Sequence, residues 1–129
     1  MLEPIAQKNT KVDVLHQLQK FKEPGFAILQ PTDESNKRFL NFDIVHHTVN
    51  LNDYDITGVY PLVPELYDAP KVRIYNNIFY TFNEDRPADF HSYSLSVGDI
   101  IALKRNNQIQ FGFVDSIGFA HLDKETINL

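Results

Sequence analysis

Residues 78–122 read IFYTFNEDRPADFHSYSLSVGDIIALKRNNQIQFGFVDSIGFAHL, and their order decides the fold. Tyr75, Ile78, Phe79 and Phe82 recur at i, i+3, i+4 and i+7, the apolar stripe of an amphipathic helix that begins near Val72. Asp68 precedes this stripe, where a negative charge suits a helix N-terminus. Pro87 follows it, so the helix should end by Asn83. Asp89 to Ser96 is polar, with Phe90 and Leu95 as anchors. Ser96-Val97-Gly98-Asp99 turns into Ile100-Ile101-Ala102-Leu103, a strand apolar enough to be buried on both faces. Arg105-Asn106-Asn107 predicts a hairpin, because consecutive Asn residues tolerate positive φ. Ile109 to Asp115 returns as a strand, Ser116-Ile117-Gly118 turns again, and Phe119 to Leu122 is a last short strand.

Upstream, Val14, Leu15, Leu18 and Phe21 recur at helical spacing, which predicts a helix over Lys11–Phe21. Thr10 is its expected N-cap, with Asp13 three residues on, and Pro24-Gly25 stops it. Phe26 to Gln30 (FAILQ) reads as the first strand and Pro31 to Asn36 as a turn. Arg38 to Phe42 alternates and reads as a second strand, the hairpin partner of the first. Phe42, Val45 and Val49 suggest a short helix capped by Asn41 or Asp43. Ile56 to Val63 has strand composition, but Pro61 lacks a ladder donor, so the run is an edge strand or ends at Tyr60. Pro64 to Pro70 is a loop. The expected organisation is an N-terminal arm with a short helix over 1–25, a domain over 26–122 and a polar tail over 123–129. The expected class is α+β, a mostly antiparallel sheet of about five or six strands with two or three helices packed on one side.

The chain has 129 residues, 43% of them hydrophobic and 22% charged, which suits one domain with a proper core. No apolar run is long enough to cross a membrane, and the first residues lack the apolar core of a secretory signal. Cysteine is absent, which excludes disulfides, thiolate zinc sites and cysteine nucleophiles, and is compatible with a cytoplasmic setting. The net charge is −5 and unevenly spread. Between Asp33 and Asp68 seven acids (Asp33, Glu34, Asp43, Asp53, Asp55, Glu65, Asp68) face only Lys37 and Arg38. Nucleic-acid binding needs a basic stripe, and the bases here come singly or in pairs. The acidic middle, Asp43 to Asp68, is either a solubilising face or a surface for a basic partner.

Several runs carry a family resemblance. Phe82-Asn83, Arg86-Pro87, Asp89-Phe90, Ser94-Leu95-Ser96-Val97, Asp99 and Val114-Asp115-Ser116-Ile117-Gly118-Phe119 stand in the order found in the YodL-like domain, which the chain resembles from about Phe26 to Leu122. Phe26-Ala27-Ile28-Leu29-Gln30 is similar to that family's first strand, and Asp53-Tyr54 to Tyr60 to its middle strand. One slot departs: the family has His directly before Ser-Leu-Ser, where this chain has Tyr93, with His91 nearest. The change points to a structural position. The resemblance implies an accessory protein of bacterial conjugative and other mobile elements. It implies no reaction.

Ser94 and Ser96 with His91 and Asp99 invite a hydrolase reading, but no Gly-x-Ser-x-Gly elbow occurs. In the simpler reading Asp89, Ser94, Ser96, Gly98 and Asp99, and later Asp115, Ser116 and Gly118, shape two turns. Of five histidines, adjacent His46 and His47 point about 100° apart on a helix and cannot share a face, so a metal would need ligands from scattered positions and none is expected. No phosphate-binding glycine loop occurs, so no nucleotide cofactor is expected. The Asn106-Asn107 hairpin with Tyr75, Tyr80 and Tyr93 suits a recognition surface, as Tyr is common at interfaces, and the simpler reading of these tyrosines is amphipathic packing at the core edge. The expected function is a non-catalytic protein-interaction module without cofactor. The alternatives are an anti-defence inhibitor of anti-CRISPR or anti-restriction type, which would use Asp43, Asp53, Asp55, Glu65 and Asp68 against a host nuclease, and a small hydrolase using His91 with Ser92 or Ser94. The sequence sets no oligomeric state.

Overall fold

The computed structural model describes residues 7–129. The expected arm over 1–25 therefore lies partly outside the described residues. Two helices, α1 (Thr10–Gln19) and α2 (Lys71–Glu84), accompany a six-stranded sheet. Its strands are β1 (Gly25–Pro31), β2 (Tyr54–Pro61), β3 (Ile100–Arg105), β4 (Gln108–Val114), β5 (Phe119–His121) and β6 (Ile127–Asn128). The order is β2-β1-β3-β4-β5, with β6 on the same side of β4 as β5, and every pairing is antiparallel. The fold is α+β.

All seven residues of β1 are buried. Phe26 and Ile28 pack in one cluster with Ile101, Leu103 and the α2 stripe Ile74, Tyr75, Ile78 and Phe82. The alternate residues Ala27 and Leu29 pack with Ile100, Ala102, Phe111, Phe113 and the α1 residues Val14 and Leu18. Side chains on a strand alternate between faces, so α1 and α2 cover opposite faces. The expectation of helices on one side is corrected here: β1 and β3 are apolar on both faces, and each face needs its own cover. Tyr75 packs against β4, where a Cβ added at Gly112 would meet its ring at 2.7 Å.

Local structure departs from expectation in four places. Asn9, not Thr10, caps α1, accepting the Val12 N–H at 3.2 Å. Thr10 is the first helical residue, and its buried hydroxyl donates to the Tyr54 carbonyl at 3.1 Å. Arg38–Phe42 is not a strand and not the partner of β1, which pairs with β2 and β3. Asn36 and Phe39 have φ of 56° and 66°, which breaks the extended path, and Phe39 points outward, 60% exposed. The short helix after Phe42 is only a run of turns. Asn41 caps it as expected, its Oδ1 accepting the Ile44 N–H at 2.8 Å, but His46 and His47 enter the left-handed region and stop the winding. The polar tail also joins the sheet, Ile127 pairing with Ile109, while Lys11 reaches Glu125 at 3.5 Å.

Elsewhere the expected elements form. Asn106 and Asn107 make the β3–β4 hairpin with φ of 54° and 60°. β2 is an edge strand that ends at Pro61, after which residues 64–66 form one 3-10 turn.

Because α1 docks on its own chain, truncating its buried face should destabilise the whole domain. Leu18→Ala is expected to cost about 2–5 kcal/mol, read as a lowered urea midpoint. Val12→Ala, at a position 40% exposed, should change it by less than about 0.5 kcal/mol. Equal effects would show that α1 is not part of the cooperative core.

Candidate functional site

Two features stand out, a buried polar node and an apolar cleft. The node forms where β1 ends and β3 begins. Gln30 and Asp99 are each 1% exposed. Gln30 Nε2 donates to Asp99 Oδ2 at 3.1 Å and to the Tyr93 carbonyl at 3.0 Å, and Gln30 Oε1 accepts the Ser92 hydroxyl at 2.6 Å. The Ser96 N–H donates to Asp99 Oδ2 at 3.0 Å, closing the turn before β3. Tyr54 donates its hydroxyl to the Gly98 carbonyl at 2.7 Å. Arg38 lies over the Tyr93 ring, 3.6 Å from its centroid. Gly98 has φ of 99°, and a Cβ there would meet the Lys37 carbonyl at 3.1 Å, so only glycine lets the Lys37–Leu40 loop close over this turn.

The electrostatics follow from burial. Desolvation pushes the Asp99 carboxyl up to about 6, against the pull of Gln30, Ser96 and the Arg38 charge. Burial also raises the Tyr54 phenol, with Asp99 and Asp53 adding to the rise. Asp99 Oδ1 and Arg38 Nε are buried without a hydrogen-bond partner among the described residues. The node therefore locks four segments together, the Lys37–Leu40 loop, the Ser92–Asp99 connection, β1 and the start of β2.

The remaining sequence candidates scatter. His91 is exposed and hydrogen-bonds no serine among the described residues, Ser94 is exposed, and the Ser92 hydroxyl is committed to Gln30. Asp89 accepts the Tyr60 hydroxyl at 3.1 Å. Asp115 Oδ1 accepts the Phe42 and Ser116 N–H groups at 3.1 and 2.8 Å, tying the loop after Asn41 to the β4–β5 turn, where Gly118 has φ of 67°. Asp43 pairs with His47 at 2.8 Å and Asp55 with Lys8 at 2.8 Å. Asp53 and Asp55 stand at the start of β2, Glu65 and Asp68 beyond its end, a strand length of roughly 20 Å away. The acids thus form two separate groups. His47 and His121 line one cleft, but each imidazole faces its own carboxylate, His47 hydrogen-bonded to Asp43 at 2.8 Å and His121 3.0 Å from Asp123. No group of three or more metal-ligating side chains comes together among the described residues.

The apolar cleft lies between the end of β2 and α2. It encloses about 240 Å³, with Phe26, Ile78 and Phe82 below, Tyr60, Leu62 and Val63 on one side, and Asn77, Thr81 and Pro87 on the other. Sequence reasoning saw Ile78 and Phe82 only as core. The available signal was Leu62-Val63, an apolar pair beside Pro61 and Pro64 in a segment read as strand end and loop. Gln30 and Arg38 were also missed. A glutamine closing an apolar strand, FAILQ, was their one trace.

The node predicts a pH dependence. The Asp99 pKa rises from an ordinary 3.8 to about 6 in the folded chain, so between these values the folded state holds a proton that the unfolded state has lost. Stability from this group is therefore greatest below about pH 4 and falls as pH rises through 6, by roughly 3 kcal/mol. Asp99→Asn should remove that slope. Its stability relative to the parent chain, from urea midpoints between pH 4 and 7.5, is expected to rise with pH. A constant difference would refute the assignment.

No curated protein and no solved structure matches the chain. The family model described as the YodL-like domain matches residues 25–124. That interval runs from the first residue of β1 through β5 and takes in both the polar node and the apolar cleft. By this match the chain belongs to the YodL-like domain family.

Proposed function

We propose that this chain is a non-catalytic protein-binding module that receives a partner in the cleft between the end of β2 and α2. The observation that carries the reading is the cleft itself. Its walls are almost wholly apolar, and it is open to solvent beside the half-exposed Val63. Open apolar concavities of this kind mark binding surfaces. The few polar groups in its lining, Asn77, Thr81 and the Tyr60 hydroxyl, are neutral side chains. The setting taken for this reading is the one that the resemblance implies, an accessory protein of a bacterial mobile element acting in the cytoplasm on an element-encoded or host protein. No helix among the described residues is long and apolar enough to cross a membrane.

The acidic-surface reading, in which the domain blocks a host nuclease, has weaker support, because Asp53 and Asp55 are separated from Glu65 and Asp68 by the length of β2. The hydrolase reading lacks a His91–serine contact among the described residues.

The test uses two positions at the cleft mouth that the core does not need. Asn77 is exposed and Thr81 half-buried. A protein cross-linked to the parent chain in its native host should be lost with the Asn77→Arg, Thr81→Arg double variant, while the thermal midpoint stays within a few degrees. Retention of the same partner by the double variant would refute the cleft as the docking site.

A further inference from the structure

The charges of α2 run against its own dipole. Lys71 and Arg73 stand in its first turn, which holds no acid. Glu84 ends the helix and Asp85 caps it, and the last turn holds no base. A helix N-terminus favours anions and its C-terminus cations, so the charges within the first turn and at the last disfavour the helix; Asp68, just ahead of the N-cap, offsets this at the N-terminal end only. Surface helices usually carry the opposite arrangement, and here the anomaly adjoins the cleft. Thr81 and Phe82, in the last turn of α2, line it, and Pro87 closes it just beyond Asp85. Glu65 stands between Pro64 and the cleft residue Leu66, and Asp89 holds the Tyr60 hydroxyl on the far wall. Arg86, which follows Asp85, is held by the Phe90 and Ser92 carbonyls, and its single positive charge stands against the four carboxylates of Glu65, Glu84, Asp85 and Asp89. The cleft is thus apolar inside and negative at the end formed by the C-terminus of α2.

Resting on the docking role of this cleft, we infer that its occupant is a basic segment of a protein partner, with one large apolar side chain in the cleft and a Lys or Arg beside it against Glu84, Asp85 and the last carbonyls of α2. The volume of about 240 Å³ suits one such side chain. Charge complementarity of this kind selects partners and speeds encounter. The cationic group supplies what the helix end lacks, so the negative rim costs stability in the free domain and gains affinity in the complex.

The probe is a phage-displayed library of random 12-residue peptides panned on the full chain. Enriched peptides should pair a Leu, Ile, Phe, Tyr or Trp with a Lys or Arg within four positions. Synthesised and labelled, they should bind at least tenfold more weakly to the Glu84→Lys, Asp85→Lys double variant and to Thr81→Arg. The charge-reversed variant should also melt no lower than the parent, since it sets the helix charges right. Peptides that bind in the cleft, by loss on Thr81→Arg, but lack a basic residue and ignore charge reversal would overturn the basic partner and leave the docking role standing. Peptides indifferent to Thr81→Arg, or no enrichment, would overturn both.

Discussion

The constraint on which the structure depends is a pair of neighbouring strands, β1 and β3, that are apolar on both faces. Ile28 pairs with Ile101 on the α2 face, and Ala27 with Ala102 on the α1 face. Such a ribbon cannot leave either side to water, since each buried CH₂ contributes about 0.8 kcal/mol. Helices α1 and α2 therefore lie on opposite faces, and the α1 segment is a structural layer. The small Ala27–Ala102 pair leaves depth on that face, which Val14 and Leu18 fill to complete burial.

The same double burial explains the polar node. Where the ribbon ends, Gln30 and Asp99 are sealed as thoroughly as the leucines before them. A buried polar group must find partners inside the protein. Gln30 meets that demand from three sides, through Asp99, Ser92 and the Tyr93 carbonyl. Asp99 meets it only in part, and this shows as a carboxyl that holds its proton to higher pH. The turn Ser94-Leu95-Ser96-Val97 that leads into β3 is thus shaped by a hydrogen-bond requirement: Asp99 accepts the Ser96 N–H and the Gln30 amide, and its own N–H returns to the Ser96 carbonyl.

The cleft arises at the opposite end of β1, where coverage runs short. β2 is an edge strand, and Pro61 ends it without a ladder donor. The chain then folds away through Leu62 to Leu66 before entering α2, and the gap beside Ile78 and Phe82 stays open. The domain therefore has one end closed by polar locking and one end left apolar and accessible. The negative rim belongs to that accessible end, where the C-terminal dipole of α2 and the carboxylates of Glu84 and Asp85 add together.

Determined by the sequence alone were the elements whose signals are local: the α2 stripe at Tyr75, Ile78 and Phe82, the doubly apolar β3, the Asn106-Asn107 hairpin, and the stop that Pro61 imposes on β2. Each is set by neighbours within a few residues, through side-chain period, proline geometry or tolerance of positive φ. Decided only by the tertiary structure were the face each helix covers, the partner of β1, the meeting of Gln30 with Asp99 across 69 residues, and the cleft. Arg38–Phe42 shows why. Its alternation fits a strand, but β1 already spends both edges on β2 and β3, so no hydrogen-bonding edge remains for it there. Pairing and burial are allotted among segments distant in the chain, and no local pattern records that competition.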